Sequence, residues 1–188
     1  MKTTNKILIG SVLGIIVIAI ALLIAARSMV SSVVTNSSTV TLSGERVERS
    51  FDVAAFDSVL LRGGFHAELQ SGSPQRVSIE ADSAIMEILD VRVDGDTLVL
   101  ESEERFRFGK NNVRAVIVVP ELTELRNEGG ASISLSDITA EDLRVRSDGA
   151  ANIESRGGRI ERLELFSDGA GNFAFQDTPV VNAHVVLN

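Results

Sequence analysis

Three acidic residues recur at one position of a repeat in the C-terminal third of the chain. Glu128, Asp148 and Asp168 are spaced 20 residues apart, and each precedes a glycine. If the repeats stack as neighbouring strands about 4.8 Å apart, the three carboxylates form a column of like charge. A bound cation would offset the repulsion, and carboxylate oxygens suit calcium. These residues are therefore the candidate metal ligands of this sequence.

Turn capping is the competing interpretation of the same acids. An aspartate before a glycine accepts a backbone N–H two residues further on and favours a tight turn. Capping needs no metal, and three carboxylates are an incomplete set for the roughly 6–8 oxygens that calcium takes. We therefore expect capping as their main role. The glycines are assigned to the turns as structural residues: Gly129, Gly149, Gly169 and Gly171.

The remaining residues offer no catalytic constellation. The chain has no Cys, which excludes thiol nucleophiles and thiolate metal sites. His66 and His184 lie in strand-like stretches without a nucleophile motif around them. There is no Trp or Tyr to stack on a sugar, and no glycine-rich phosphate loop precedes a helix. We predict no catalytic residue, no cofactor and no enzymatic activity.

The repeat that spaces the acids also predicts the fold. A fixed period of 20 residues from Glu128 to Asn188 is typical of a solenoid, in which each coil buries its apolar side against its neighbours. We predict a mainly β domain over 48–188, built as a solenoid with coils of about 20 residues. The apolar columns would be Leu125, Val145 and Leu165; Leu143 and Leu163; and Ile133, Ile153 and Phe173.

Two polar columns follow from the same spacing. An alternation of charge would attract each residue to the next across the coils, and a run of small polar residues favours a hydrogen-bonded ladder without a ligand. The alternating column is Glu124, Arg144 and Glu164, and the small polar column is Asn127, Ser147 and Ser167.

The first half of the domain has shorter-range signals. Apolar residues alternate from Val59 to Leu69, which predicts a strand. The stretch 82–90 predicts a helix that begins at Asp82 as its N-cap. Asp94-Gly95-Asp96-Thr97 predicts the turn of a hairpin over 91–100. Pro120 ends the β-branched strand that precedes the repeat.

The N-terminus carries a membrane signal. Residues 7–26 are uncharged and aliphatic, and as a helix they would span roughly 30 Å, the thickness of a bilayer core. Lys2 and Lys6 precede this stretch, so residues 1–6 are predicted to be cytoplasmic. Residues 7–26 would be a single transmembrane helix, 27–47 a Ser/Thr-rich stalk, and the domain would be exported to the periplasm or cell surface.

A cleaved signal peptide is the alternative for the same stretch. Small residues at cleavage spacing occur in Ala19-Ile20-Ala21 and in Ala26-Arg27-Ser28. However, the apolar run exceeds the roughly 7–15 residues of a typical signal peptide, which favours an uncleaved anchor. Either interpretation predicts that the folded domain is exported.

The charge distribution excludes one class of partner. The formal net charge is −8, although residues 1–27 contain three basic residues and no acid. The exported part is therefore more acidic than the whole chain. An acidic surface repels phosphate backbones, so we predict no nucleic-acid partner.

Three ordered patterns resemble a known family. F-D-x-x-x-F-D-S-V-x-L-x-G-x-F-x-A-x-L covers 51–69, D-G-D-T-L-V-L covers 94–100 and V-I-V-V-P-E-L covers 116–122. With the small-residue turns, they resemble the auto-transporter adhesin head GIN-domain family, a bacterial domain of unknown function, over 48–188. The resemblance implies a right-handed parallel β-helix-like fold in an exported protein, with no enzymatic activity. One departure is that the turns lack the family's usual Gly-Ser-Gly.

We therefore expect a membrane-anchored, adhesin-like binding or structural module of the cell envelope, with a protein or glycan ligand. One alternative is an enzyme that acts on envelope polysaccharide, and another is a sensor or regulatory partner of a membrane protein. The 20-residue count places a further turn at Asn188, so the last coil, 180–187, would present an unpaired edge. That edge is the predicted surface for self-association.

Overall fold

The computed structural model describes residues 42–102 and 113–188, which form a mainly β domain. Within these two ranges, twelve strands join one mixed sheet, accompanied by one turn of helix, α1 (Ser83–Met86). The strands are β1 (Arg46–Phe51), β2 (Ser58–Ser71), β3 (Arg76–Asp82), β4 (Leu89–Asp94), β5 (Thr97–Ser102), β6 (Val113–Val119), β7 (Glu124–Ser136), β8 (Thr139–Ser147), β9 (Ala150–Arg156), β10 (Arg159–Ser167), β11 (Gly171–Asp177) and β12 (Val180–Leu187).

The prediction of a right-handed parallel β-helix, or solenoid, over 48–188 is wrong. The described strands form a mixed sheet in the order β1-β3-β6-β2-β7-β8-β10-β12, from which β4, β5, β9 and β11 branch. The pairs β1–β3, β3–β6 and β4–β5 are antiparallel. The 20-residue period misled us because it describes only the strands from β7 onward and carries no information on the antiparallel pairs that precede them.

The 20-residue period nevertheless sets the register among the later strands. Leu125 of β7 lies opposite Val145 of β8, which lies opposite Leu165 of β10. Strands β7 and β9 pair with the same offset, and Ile133 lies opposite Ile153. All of these pairs are parallel. A repeat thus predicts which residues share a column, but it covers the chain only from β7 onward and not the antiparallel strands before it.

The predicted apolar columns form part of the hydrophobic core. Leu125, Val145 and Leu165 are buried, as are Ile133 and Ile153. Each fully buried aliphatic side chain of this size stabilises the fold by roughly 1.5–3 kcal/mol. Because the chain lacks Trp and Tyr, this core consists largely of Val, Ile and Leu packed between strands.

The N-terminal half confirms the hairpin and shortens the helix. Strands β4 and β5 are antiparallel, with Asp94 opposite Thr97 at the turn. The predicted helix over 82–90 is reduced to α1, because Leu89 and Asp90 instead begin β4. Pairing of β4 with β5 gives these residues hydrogen-bond partners for their backbone groups, which the last turn of a longer helix would leave unpaired.

Asp82 ties the start of the described chain to α1. Its carboxylate accepts hydrogen bonds from the backbone N–H of Ser43 at 3.0 Å, of Gly44 at 2.8 Å and of Ala84 at 3.0 Å. The last of these makes Asp82 the N-cap, as predicted. Burial acts to raise the pKa of Asp82, but these hydrogen bonds outweigh it and hold the pKa below its usual value.

Among the described residues, no helix is both long and apolar enough to cross a bilayer. The predicted transmembrane stretch 7–26 lies outside the described residues, as does the predicted stalk as far as residue 41. Arg46 and Val47, which we assigned to the end of the stalk, belong to β1 and pair with β3.

A column of glycines brings four backbones into close approach. Gly129 lies opposite Gly63, and Gly149 and Gly169 occupy the equivalent positions of the next two repeats. All four have positive φ, from 124° at Gly63 to 157° at Gly129. A Cβ atom at Gly149 would lie 2.4 Å from the carbonyl oxygen of Gly129, and one at Gly169 would lie 2.4 Å from that of Gly149. Only glycine therefore fits this column.

Replacing one glycine of this column should destabilise the domain. For Gly149→Ala we expect a loss of roughly 2–3 kcal/mol in the free energy of unfolding, since the new methyl group meets backbone and not a movable side chain. Urea denaturation of the full chain in detergent micelles measures this. The matched control is Gly130→Ala, because a Cβ there would meet nothing within 4 Å. Equal stability of the two variants would contradict the explanation.

Candidate functional site

Each carboxylate of the acidic column that we identified as a candidate metal site accepts a hydrogen bond from a neighbouring side chain. Glu128 accepts a hydrogen bond from Arg62 Nε at 2.7 Å and another from Arg126 at 3.2 Å. Asp148 accepts one from Arg146 Nε at 3.3 Å, and Asp168 accepts one from the Asn188 amide at 2.7 Å. These carboxylates thus accept hydrogen bonds from side chains. The capping hypothesis predicted a backbone N–H as the donor.

Arg62 connects this column to the hairpin β4–β5. Its guanidinium also lies 3.5 Å from Glu101, which in turn lies 3.3 Å from Arg92. The hydrogen bond and the charge of Glu128 raise the pKa of Arg62 above its ordinary value. All of these side chains are about a third exposed or more, so each ion pair contributes at most about 1 kcal/mol.

A metal ion finds no ready site in this column. Across residues 42–102 and 113–188, no group of three or more His, Asp or Glu side chains is arranged to hold one. Arginines already offset the charges of Glu128 and Asp148, two of the three acids that suggested a cation. The fourth predicted turn glycine, Gly171, begins β11, where a Cβ would lie 2.8 Å from the carbonyl oxygen of Ala151.

The column of small polar residues is buried and partly bonded. Asn127, Ser147 and Ser167 are each at most 3% exposed. The Asn127 amide donates to Ser147 Oγ at 3.3 Å and to the carbonyl oxygen of Gly129 at 3.1 Å. The ladder therefore joins its first two members. Ser167 Oγ and Asn127 Oδ1 have no hydrogen-bond partner in the described part of the chain.

A groove of about 670 Å³ lies where several parallel strands begin. Ser58 begins β2, Thr97 begins β5 and Glu124 begins β7, and both β5 and β7 pair in parallel with β2. Residues at or just before these strand starts must therefore meet at one edge of the sheet. Thirteen residues line the groove: Asp57, Ser58, Asp96, Thr97, Glu121, Thr123, Glu124, Glu141, Asp142, Leu143, Arg144, Arg162 and Glu164.

Main-chain hydrogen bonds fix the floor of this groove. The N–H groups of Asp57 and Ser58 both donate to the carbonyl oxygen of Asp96 at 3.1 Å. Thr123 N–H donates to the carbonyl oxygen of Asp57 at 2.8 Å, and Arg144 N–H donates to that of Thr123 at 2.9 Å. Four segments that are distant in sequence are thereby held together. The side chains at the groove consequently sit on paired backbone.

The groove is strongly acidic. Seven of its lining residues are carboxylates and two are arginines. Arg144 pairs with Glu164 at 3.1 Å, and Arg162 pairs with Asp142. Glu121, Glu124 and Glu141 form no ion pair with any described residue. The groove can therefore attract cationic groups and repel anions.

Sequence reasoning identified the alternating column Glu124, Arg144 and Glu164 as stabilising. The register of this column is confirmed, but only Arg144 and Glu164 form an ion pair. Sequence reasoning missed the groove, because the other acids come from turns far apart in sequence. One feature of the sequence could have indicated the groove. Asp57 and Asp96 each come directly before a strand, and parallel strands bring such residues to the same edge.

The two histidines lie apart from the groove. His66 is in β2, 3.8 Å from Glu68, and opposite Arg114 of β6. His184 is in β12, and its ring meets the Phe166 ring edge-on at 5.9 Å. Neither position forms a nucleophile–base pair, which agrees with their interpretation as strand residues.

The described residues thus form a mainly β domain with an open acidic groove. The family model described as putative auto-transporter adhesin, head GIN domain, matches residues 55–187. The chain belongs to this family, which confirms the resemblance found in the sequence. No curated protein matches the chain.

Solved structures share the fold. A putative adhesin from Bacteroides fragilis is 17% identical, with a TM-score of 0.56 and 78% of each chain covered. A putative adhesin from Parabacteroides distasonis is 13% identical, with a TM-score of 0.54, covering 79% of this chain and 70% of the other. A putative lipid binding protein from the same species is 15% identical, with a TM-score of 0.51 and coverages of 78% and 80%. Identities this low show the fold alone.

Calcium should not stabilise the protein through Glu128, Asp148 and Asp168. Because arginine and asparagine side chains already occupy their oxygens, we expect millimolar calcium to leave the melting temperature of the full chain unchanged within about 1 °C. Magnesium and a chelator are the controls. A calcium-specific rise of several degrees that Asp148→Asn abolishes would restore the metal hypothesis.

Proposed function

We propose that the chain is an adhesin-like binding module of the bacterial cell envelope, held at the membrane by residues 7–26 and without enzymatic activity. The observation that carries the proposal is its membership of the adhesin head family over 55–187. Two structures with the same fold are described as putative adhesins, and none of the three is described as an enzyme. The apolar N-terminal stretch, with Lys2 and Lys6 before it, supports an anchor with the domain outside.

The acidic groove is the surface best suited to a ligand. It is concave, its backbone is fixed, and Glu121, Glu124 and Glu141 carry charges that no described side chain balances. A ligand with several positive charges would gain most from this field. We therefore propose a basic segment of a partner protein as the ligand. A neutral glycan fits less well, because the chain has no Trp or Tyr to stack on a sugar ring.

The polysaccharide enzyme is less well supported by the groove. Asp142 and Glu164 are paired with arginines, and Asp57 accepts hydrogen bonds from Ser58 Oγ at 2.8 Å and from Thr123 Oγ1 at 3.0 Å. Glycoside hydrolysis needs two carboxylates in different roles on either side of the scissile bond. Here three carboxylates bind groups of the protein itself. A sensor or regulatory role would use the same groove for a membrane-protein partner.

Charge reversal in the groove should weaken binding of a cationic peptide. We expect Glu121→Lys with Glu141→Lys to raise the Kd of the full chain for an octalysine peptide by about tenfold at low salt, since two attractive charges become repulsive. The control is Glu45→Lys with Glu87→Lys, which makes the same change in net charge at exposed residues outside the groove. Isothermal titration calorimetry measures both.

Two outcomes would overturn this ligand assignment. Equal weakening in both double variants would show that net charge, and not the groove, attracts the peptide. Binding of a neutral oligosaccharide in place of octalysine would favour a glycan ligand.

The mature N-terminus tests the anchor. Because residues 7–26 are longer than a typical signal peptide core, mass spectrometry of the membrane fraction should find them still attached. A mature chain that starts near Leu22 or Met29 would contradict anchoring.

A further inference from the structure

Exposed large apolar side chains concentrate on strand β12. Four such side chains occur among the described residues: Leu42, Val181, Val185 and Leu187. The last three belong to β12, and their exposed fractions are 51%, 51% and 62%. Scattered exposed apolar residues are normal on a soluble surface, whereas three on one strand mark a surface that is suited to being covered.

Two of these side chains continue buried columns of the domain. Val185 lies opposite Leu165, which is 2% exposed, and Leu187 lies opposite Ser167, which is 3% exposed. Phe173 and Phe175 of the neighbouring β11 are also only partly buried. The aliphatic columns therefore begin in the buried core and end at β12, where the last side chains are exposed to solvent in the described domain.

The backbone of β12 is also available for pairing. Among the described strands it pairs with β10 on one side and with no strand on the other. Edge strands are commonly protected by charges or proline, and β1, at the other end of the sheet, carries Arg46, Glu48 and Arg49. Strand β12 contains no Asp, Glu, Lys, Arg or Pro. It therefore lacks the features that keep strands from joining.

We propose that β12 pairs antiparallel with β12 of a second copy of this chain, around a two-fold axis perpendicular to the sheet. Two copies with a net charge of −8 each repel one another in general, but this uncharged strand lets two edges approach. With this axis the two sheets join into one, and the face that carries the core is the same in both copies. The open end of each core then lies against the open end of the other. Such an interface uses one surface patch twice, as two-fold interfaces do.

The absence of Cys makes this geometry directly testable. A two-fold axis of this kind places one residue of β12 opposite its own copy, with Cα atoms about 4.5–5.5 Å apart, within reach of a disulfide. Single cysteines at each position from 181 to 187, in the full chain, should therefore cross-link best at one residue. The yield should fall on both sides of it, and Leu42→Cys should give no cross-link.

Lysine substitutions provide an independent measurement. Val185→Lys with Leu187→Lys should raise the dimer Kd of the full chain in detergent by at least about tenfold, because unpaired charges would be buried where the two open core ends meet. Leu42→Lys is the control, since it places a lysine at an exposed leucine outside β12. Analytical ultracentrifugation gives the Kd, and circular dichroism checks that both variants fold.

Two results would overturn the proposal. A chain that stays monomeric, without a cross-link at any position from 181 to 187, leaves β12 to a partner of another sequence or to another segment. A dimer that survives both lysines, again without β12 cross-links, associates elsewhere, for example through residues 7–26.

Discussion

The close approach of backbones at the glycine column is the constraint on which the rest of the domain depends. At Gly129, Gly149 and Gly169 a side chain would collide with the carbonyl oxygen of the glycine that precedes it in the column. Glycine there lets the parallel strands remain in register. That register decides which side chains share a column, so the buried aliphatic columns and the outer rows of charge both follow from it.

The same register brings like charges close together in two places, the acidic column and the groove. Arginines offset much of this repulsion in the column but less of it in the groove. Along the acidic column, Arg62 and Arg126 bind Glu128, and Arg146 binds Asp148. At the groove, seven carboxylates meet only two arginines. The first arrangement stabilises the fold modestly, because exposed ion pairs contribute little. The second leaves a negative field at the groove, where Glu121, Glu124 and Glu141 form no ion pair with any described residue.

A shared fold constrains architecture more than it constrains ligands. Solved structures described as putative adhesins and as a putative lipid binding protein have this fold at 13–17% identity. The features that would choose a ligand are therefore those of this chain. They are a polar, acidic groove without Trp or Tyr, and an end strand whose apolar side chains continue the core into solvent.

The sequence by itself determined three features: the column partners Leu125, Val145 and Leu165, the hairpin at Asp94-Gly95-Asp96-Thr97 and the N-cap Asp82. The column follows from a repeat of fixed period, and the turn and the cap depend on residues close together in the chain. The family was also recognisable from its ordered patterns. Only the tertiary structure decided the mixed sheet and the groove. Strand partners such as β3 and β6, and neighbours such as Asp57 and Asp96, are chosen by long-range packing that no local pattern records.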